Sequence, residues 1–163
     1  EKLADFIGLL EKWNRVYNLT AVRDPRAMVI RHILDSLVVL PFLNRGSLLD
    51  VGTGAGLPGL PLAVARPGSR ITLLDASAKK LRFVRQAVFE LGLDNVEVAQ
   101  SRMQEYQPAR SFDMVISRAV TNLGELPADC PPGPSRRSYV VYERRSARRG
   151  NTGTGSGWCT LAY

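Results

Sequence analysis

The chain has 163 residues, of which 45% are hydrophobic, and it carries a formal net charge of +7. This length supports one domain with a buried core, and no apolar run approaches the roughly 20 residues that span a bilayer, so we expect a cytoplasmic protein with no membrane segment. The two cysteines, Cys130 and Cys159, are too few for a disulfide framework, and with a single histidine in the chain we expect no metal site.

The positive charge is divided unevenly along the chain. Residues 127–163 hold a net charge of +4, which leaves +3 for residues 1–126. So small a charge on the first segment is compatible with an ordinary protein surface and with a modest nucleic-acid binder, and does not decide between them.

The first 45 residues predict a helical cap. In the first helix, apolar side chains recur at steps of three and four residues, at Leu3, Phe6, Ile7, Leu10 and Trp13. A second helix is predicted to begin with Asp24 as its N-cap and Pro25 at its first helical position. Its apolar side is predicted to consist of Val29, Ile30, Ile33, Leu34, Leu37 and Val38.

From residue 47 the chain changes to short apolar runs separated by helical segments. The strings SLLDV, RITLLD, NVEVAQ and FDMVISRAV predict four strands. Between the second and third, SAKKLRFVRQAVFELG predicts a helix that begins after the N-cap Ser77 and stops at Gly92. Its apolar face is predicted to hold Leu81, Val84, Val88 and Leu91. Because strands that are apolar throughout favour a parallel sheet covered on both faces, we predict a Rossmann-like α/β domain over residues 46–126.

A glycine-rich string, DVGTGAGLPG, follows the first strand, at the edge where such sheets bind ligands. Gly52, Gly54 and Gly56 allow a ligand to lie against the main chain because they have no Cβ. Asp50 stands before these glycines, and Asp75 ends the second strand, where it could accept hydrogen bonds from two ribose hydroxyls. Two acids in these places suit S-adenosylmethionine, a nucleoside that carries a sulfonium cation and no phosphate.

Two other interpretations of the same string stay open. Gly54, Gly56 and Gly59 fit the dinucleotide pattern G-x-G-x-x-G, which would suit an NAD-binding oxidoreductase, although Asp50 would repel a pyrophosphate. Alternatively, Asp50 and Asp75 only cap loops. The position of both acids at strand ends favours the S-adenosylmethionine interpretation.

The reaction class is narrowed by residues that the chain lacks. Methylation of exocyclic amines usually uses an Asn/Asp-Pro-Pro-aromatic string after the fourth strand, and here that place reads SRAV. Methylation of cytosine C5 needs a cysteine nucleophile, and residues 1–126 contain none. A ring nitrogen with a free lone pair, such as guanine N7, needs only correct positioning of base and methyl group.

Five strings occur in order at fixed spacing: NLTAVRDP…RHILDSL, LLDVGTGAGLPGLPLA, TLLDASAKKLRFVRQ, LGLDNVEV and FDMVISRA. Together they resemble the RsmG (GidB) family of bacterial enzymes, which methylate guanine N7 of 16S ribosomal RNA. The resemblance runs from about Trp13 to Leu126. It implies a Rossmann-like class I methyltransferase fold with a mostly parallel sheet, S-adenosylmethionine as cofactor, and 16S ribosomal RNA in the small subunit as partner. We also expect a monomer.

The resemblance also implies individual cofactor contacts, at Gly52, Leu57, Met103, Gln104 and Arg118. Gln104 stands where the family usually has glutamate, so the adenine edge would meet an amide instead of a carboxylate. Arg118 is the candidate catalytic residue as well, because the end of the fourth strand lies at the ligand edge of such a sheet.

In the helical cap, the resemblance points to the Asn18–Thr20 string, Arg31, His32, Asp35 and Ser36, which we place facing RNA or closing over the cofactor. The structural alternatives are a hydrogen-bonded His32 beside Ser36 and an Arg31–Asp35 ion pair one turn apart. The cations after Ser77 are interpreted mainly as a solvent-exposed helix face: Lys79, Lys80, Arg82 and Arg85.

The tail after Leu126 departs from the family pattern. Residues 127–163 show no apolar periodicity, so we predict an irregular tail without closing strands. Codons that encode residues 136–145 can, when read one base later, spell Gly-Gly-Ala-Thr-Trp-Phe-Met-Lys-Gly, in the family's order. We therefore hypothesise that the tail is out of frame and impairs the enzyme, and a cofactor- or RNA-binding remnant without turnover is the alternative.

Overall fold

The structure is a computed structural model, and it describes residues 1–43 and 46–118 together with the backbone of two later strands, 138–142 and 159–162. The chain begins with α1 (Lys2–Tyr17). A second helical stretch is built from α2 (Pro25–Met28), a π-helical turn (Val29–Leu34), α3 (Asp35–Leu37) and a 3₁₀ turn (Leu40–Phe42). These elements form the predicted helical cap.

One six-stranded sheet follows, with two helices inserted between its first three strands. The strands are β1 (Ser47–Val51), β2 (Arg70–Asp75), β3 (Val96–Gln100), β4 (Met114–Arg118), β5 (Ser138–Tyr142) and β6 (Cys159–Ala162). The helices are α4 (Gly59–Ala65) after β1 and α5 (Ala78–Glu90) after β2. The strand order is β3-β2-β1-β4-β5-β6, and only the β5–β6 pair is antiparallel. The mostly parallel α/β fold and its first four strands are therefore confirmed.

The strand order reverses between β1 and β4, which makes that pair the switch point of the sheet. Hydrogen bonds tie the two strands at both ends. At the amino end, Asp113 Oδ2 accepts from the Ser47 N–H and hydroxyl, each at 2.7 Å. At the carboxyl end, the Ser117 hydroxyl donates to the Val51 carbonyl at 2.9 Å. These contacts hold the carboxyl ends of β1 and β4 level with each other.

The main core lies between the sheet and the helices of one face. Phe6 and Leu10 of α1 are buried against Phe83 of α5, and the Trp13 ring lies 5.8 Å from the Phe83 ring. Trp13 is thus a packing residue, as predicted. A smaller cluster covers the opposite face and consists of Leu49, Val51, Leu74 and Val115.

The predicted helix starts are confirmed by their capping contacts. The Ala27 N–H donates to Asp24 Oδ2 at 2.7 Å, and the Lys80 N–H donates to the Ser77 hydroxyl at 3.4 Å. Gly92, with φ +55°, ends α5 as expected.

The predicted apolar face of the second helix is wrong. Of its six residues only Ile33 is buried, and four are exposed by 42–62%: Val29, Ile30, Leu34 and Val38. The buried side instead holds Met28, His32, Ser36 and Val39. Apolar periodicity fails here because His32 and Ser36 have hydrogen-bond partners inside the protein, so they are buried without loss of their polar contacts.

The expectation that no closing strands follow Leu126 is also wrong for two segments. β5 pairs in parallel with β4, and β6 pairs with β5. The string SYVVY of β5 is rich in the aromatic and β-branched residues that strands favour, although five residues are too few to show a period. Residues 127–137, 143–158 and 163 of the predicted tail lie outside the described residues, and the domain boundaries stay predictions.

Candidate functional site

The carboxyl ends of β1 to β4 lie side by side and carry most of the predicted site residues. Gly52 directly follows β1, Asp75 ends β2, and Arg118 ends β4. Met103 begins a 3₁₀ turn (Met103–Glu105) just after β3. Since Val51 pairs with both Leu74 and Ser117, these four positions meet at one edge of the sheet.

The glycine loop after β1 is tied to β2 through its main chain. The N–H groups of Gly52 and Thr53 donate to the Leu74 carbonyl at 2.8 and 3.0 Å, and the Gly54 N–H donates to Asp75 Oδ2 at 2.8 Å. Gly52 has φ +68° and Gly54 has φ +59°, values that favour glycine. No atom lies within 4 Å of the place where a Cβ of Gly52 would stand, so the loop presents bare, open main chain.

Asp75 is partly exposed beside this loop. Its Oδ1 accepts from the Ser77 N–H at 2.8 Å, while its Oδ2 holds Gly54. Each carboxylate oxygen has two lone-pair sites, so both oxygens can accept a further hydrogen bond. This geometry leaves Asp75 able to receive two hydroxyl donors from a ligand.

Asp50 lies beneath the loop and is fully buried. Its Oδ2 accepts from the Thr53 hydroxyl at 2.6 Å and from the Gly59 N–H at 2.9 Å, and Oδ1 has no hydrogen-bond partner among the described residues. Burial raises the pKa of Asp50 to about 6, against the two hydrogen bonds and the nearby Arg118 charge, which lower it. Asp50 therefore organises the loop from inside.

Thr53 is a site residue that the sequence interpretation missed. It is buried, and its only distinguishing signal is a hydroxyl placed three residues after an acid within a glycine loop. Gly56 and Leu57, both predicted to touch the cofactor, are also buried. The Leu57 N–H donates to the Thr53 carbonyl at 2.8 Å, so these residues shape the inner side of the loop. Their cofactor contacts stay predictions.

Met103 and Gln104 differ in their surroundings. Met103 is partly buried and packs against the smaller core cluster, whereas Gln104 is exposed. The segment before them is joined to β2, because the Ser101 N–H donates to the Asp75 carbonyl at 3.3 Å. Gln104 is thus free to meet a ligand at the edge, and its predicted role in holding adenine stays a prediction.

Arg118 forms an ion pair that joins the cap to this edge. Its Nη1 lies 3.7 Å from Asp35 Oδ2, and the two side chains are 21% and 24% exposed. Asp35 therefore pairs with Arg118, and the alternative Arg31–Asp35 pair is wrong. Arg31 is exposed. Of the candidate residues in the helical cap, Asp35 is the one that this ion pair brings to the edge.

The other cap candidates belong to a local polar network. His32 is buried, with Nε2 3.0 Å from the Thr20 hydroxyl and Nδ1 3.0 Å from the Arg31 carbonyl. Because a carbonyl only accepts, Nδ1 carries the proton in this contact, and in the neutral ring the Thr20 hydroxyl then donates to Nε2. Asn18 ends α1 with φ +50° and accepts from Arg23 Nη2 at 2.7 Å. These contacts fit the structural alternative for His32.

Asn14 is a further residue of this network, and the sequence interpretation missed it. It is buried at 1% exposure, and its amide nitrogen donates to the Thr20 and Val22 carbonyls at 3.0 and 3.3 Å. Its Oδ1 accepts from the Thr20 N–H at 2.9 Å. The available signal was its spacing of four residues from Leu10 on the buried face of α1.

Replacement of Asn14 tests this network. Asn14→Ala is expected to lower the free energy of unfolding by about 2 kcal/mol, because it leaves main-chain groups of the α1–α2 loop without partners. Asn14→Asp is expected to be worse, since it sets an acceptor against two carbonyl oxygens. Urea denaturation of both variants checks this, with Lys12→Ala on the exposed face of α1 as the control. Equal stability of Asn14→Ala and Lys12→Ala would contradict the proposed role.

The part of the chain that the structure describes holds no group of three or more His, Cys, Asp or Glu side chains placed to bind a metal ion. Over the same residues, none of the helices has the length and apolar content needed to cross a membrane.

The fold matches solved methyltransferases. An S-adenosylmethionine-dependent methyltransferase from Aquifex aeolicus superposes with a TM-score of 0.59 over 91% of this chain and 77% of that chain, at 20% identity. The glycopeptide N-methyltransferase MtfA, complexed with S-adenosylmethionine, superposes with a TM-score of 0.58 over 71% of this chain and 51% of its own, at 15% identity. The chain thus has the Rossmann-like fold of class I methyltransferases.

Sequence relatives identify the family. The family model GidB, rRNA small subunit methyltransferase G, matches residues 1–147. Ribosomal RNA small subunit methyltransferase G of Serratia proteamaculans is 49% identical over 148 residues, covering 91% of this chain and 72% of the relative. The protein of the same name from Alkalilimnicola ehrlichii is 56% identical over 123 residues, covering 76% of this chain and 56% of the relative. The chain belongs to the GidB family.

The family match is longer than the sequence interpretation predicted. The expected limits were about Trp13 and Leu126, whereas the match begins at residue 1 and continues to residue 147. The resemblance therefore extends into the tail and includes β5. The out-of-frame hypothesis stays a prediction, which sequencing of the coding region tests.

Proposed function

We propose that this chain transfers the methyl group of S-adenosylmethionine to guanine N7 of 16S ribosomal RNA. Identities of 49–56% to relatives named ribosomal RNA small subunit methyltransferase G support the RNA substrate. The observation that supports the cofactor assignment is the position of Asp75 at the end of β2. Its carboxylate accepts a hydrogen bond from Gly54 of the glycine loop and can accept further hydrogen bonds, and the main chain of Gly52 in the same loop is open.

The residues at the edge fit this cofactor. Asp75 would accept from the two ribose hydroxyls, and the main chain at Gly52 and Gly54 would line the nucleoside, with Gln104 as the candidate for the adenine edge. When bound, S-adenosylmethionine supplies an electrophilic methyl carbon on a sulfonium ion. The buried Asp50 carboxylate would add negative charge beneath the main chain that lines the nucleoside.

Methyl transfer to guanine N7 requires no side chain to act as a general acid or base. The guanine N7 lone pair forms the bond to the methyl carbon, the sulfur–carbon bond breaks, and no proton has to leave the base. Catalysis by positioning is sufficient for such a transfer. Arg118, held by Asp35 at the end of β4, is the side chain that we assign to orienting the reactants.

Membership of the GidB family does not favour the alternatives. An NAD-binding oxidoreductase would place a pyrophosphate at the glycine loop, directly above the buried Asp50 carboxylate. A binding remnant without turnover would retain the edge geometry and lack transfer. The proposed RNA substrate also implies action in the cytoplasm, and we retain the expectation of a monomer.

Methyl transfer tests the proposal directly. Small-subunit RNA from cells that lack the enzyme is incubated with labelled S-adenosylmethionine and this chain, or a chain whose reading frame is restored after Leu126, and the modified nucleoside is identified by mass spectrometry. We expect 7-methylguanosine. Transfer by the restored chain alone would make this chain a defective family member, and label at another atom, or none from either chain, would contradict the assigned reaction.

Asp75→Ala tests the cofactor site separately. The variant is expected to weaken S-adenosylmethionine binding about tenfold, because it removes charge-assisted hydrogen bonds to the ribose. Isothermal titration calorimetry measures the change, with Asp94→Ala, an exposed acid at the opposite edge of the sheet, as the control. Unchanged affinity in Asp75→Ala would remove this carboxylate from the site.

A further inference from the structure

One side of α5 carries cations without acids. Before Glu90, every charged residue of this helix is Lys or Arg, and Lys79, Arg82 and Arg85 are exposed. These residues follow one another at steps of three, so they lie along one side of the helix. Phe89, 80% exposed, continues the same side. We call Lys79, Arg82, Arg85 and Phe89 the α5 basic face.

The three cations of this face are not used in ion pairs within the described ranges. Elsewhere in those ranges, Arg15 lies 2.7 Å from Glu11 and Arg118 lies 3.7 Å from Asp35. The α5 basic face has no carboxylate within 4.0 Å in the same part of the structure. Its charges are therefore available to a ligand.

The arrangement opposes the stability of the helix itself. Lys79 stands in the first turn, where the positive end of the helix dipole favours acids, and that turn contains no acid. Lys79 with Arg82, and Arg82 with Arg85, are like-charged neighbours three residues apart, which destabilise a helix. A polyanionic ligand would reverse both effects, because its negative charges would lie against the row of cations.

Aromatic rings stand at both ends of the row. At one end, Lys79 Nζ lies 5.8 Å from the centroid of the Tyr17 ring, which is stacked on Trp13 at 5.1 Å between centroids. At the other end, the Phe89 ring is open to solvent. Aromatic rings beside arginines are the means by which proteins hold unpaired bases of single-stranded RNA.

The α5 basic face begins next to the proposed cofactor site. The Ser77 N–H, at the helix start, donates to Asp75 at 2.8 Å, so Lys79 lies one turn of helix from the edge. From Lys79 to Phe89 the face extends about 15 Å along the helix. An RNA strand on this face would therefore lead directly to the edge where the methyl group is transferred.

We propose that the α5 basic face binds a single-stranded segment of RNA, with phosphates on Lys79, Arg82 and Arg85 and an unpaired base stacked on Phe89. The identity of this RNA as the methylation substrate rests on the proposed function. The surface itself is defined by charge, exposure and position.

The charge part is tested by fluorescence anisotropy with a fluorescein-labelled, single-stranded 20-nucleotide RNA as the probe, over a series of KCl concentrations. R82Q/R85Q is expected to weaken binding by about tenfold at 0.1 M salt and to reduce the slope of log affinity against log salt by about 1 to 1.5. The matched control, R70Q/R110Q, removes two exposed arginines elsewhere on the chain, and we expect less than about a twofold change.

The stacking part is tested by paired variants of Phe89. Phe89→Leu is expected to weaken RNA binding about tenfold, because it keeps apolar bulk and removes the ring, while Phe89→Tyr should stay within about twofold of the wild type. Since the side chain is largely exposed, neither variant is expected to change the unfolding midpoint, which circular dichroism verifies.

Several outcomes would overturn the inference: no RNA binding by the wild type, equal losses in R82Q/R85Q and R70Q/R110Q, or equal affinity for a duplex RNA of the same length. Calorimetry with S-adenosylmethionine separates this result from the proposed function. A wild-type chain that binds the RNA through Arg82 and Arg85 but not the cofactor supports the surface and contradicts the proposed methyl transfer. Unchanged cofactor binding in R82Q/R85Q is the expected result.

Discussion

Gly59→Ala is expected to lower the free energy of unfolding by about 3 kcal/mol, because the added methyl group has no room at the start of α4. A Cβ at this position would overlap Leu73 Cδ2 and would lie 2.7 Å from Asp50 Oδ2. Both neighbours are fully buried, so neither can move aside without disturbing the sheet. The hydrogen bond from the Gly59 N–H to Asp50 would be distorted at the same time.

Urea denaturation measures this effect, with Gly8→Ala as the matched control. Gly8 lies inside α1, is exposed, and has no atom within 4 Å of its Cβ position. Alanine there is expected to raise the stability by about 0.5 to 1 kcal/mol, because glycine is a weaker helix former. If both variants changed stability equally, the close approach of Gly59 to the sheet would not be the cause.

The second large effect is a dependence of stability on pH through Asp50. Its pKa is 3.8 in the ordinary case and about 6 in the folded protein, chiefly because burial disfavours the charged carboxylate. Between pH 3.8 and about pH 6 the folded chain keeps the proton on Asp50, whereas the unfolded chain has lost it. The contribution of this proton to the free energy of unfolding is therefore fully present below pH 3.8 and is lost as the pH rises through about 6. The loss amounts to about 3 kcal/mol.

Asp50→Asn isolates this contribution, because the amide does not titrate and its oxygen can still accept from Thr53 and Gly59. The difference in unfolding free energy between wild type and Asp50→Asn should therefore change between pH 4 and pH 6.5 and be flat above that range. Hydrogen bonds from Ser47 lower the pKa of Asp113, so its effect on the pH dependence of stability is opposite to that of Asp50. Because Asp113 is present in both proteins, its effect cancels in their difference. Parallel stability profiles would contradict a raised pKa of Asp50.

The elements with strong local signals could be predicted from sequence. The four strands β1 to β4 are short apolar runs, and the helix starts at Asp24 and Ser77 carry side chains that cap the helix within three residues. The rule that parallel α/β sheets bind ligands at the carboxyl ends of their strands also predicts that Gly52, Asp75 and Arg118 lie at one edge.

The remaining features depend on contacts between distant residues. His32 can be buried because its ring forms a hydrogen bond with Thr20, twelve residues away. Apolar periodicity does not register such a contact and therefore predicts the wrong buried face for the second helix. Asp35 pairs with Arg118, which is distant in the sequence, whereas spacing along the helix indicates only Arg31 as a partner. The position of Asp50 beside the glycines predicts a ligand contact, whereas the pleat of β1 turns its side chain inward, toward Gly59.

The position of β1 has a consequence for how the protein is made. Strands are added outward from β1 in both directions, first to β2 and β3 and later to β4, β5 and β6. As the chain leaves the ribosome, the glycine loop and both of its acids are therefore complete by residue 75, before the far border of the sheet has been synthesised. Changes late in the gene fall on the last strands to be synthesised and spare the pairing of β1 with β2, so the half of the sheet that carries the glycine loop is made before its far border.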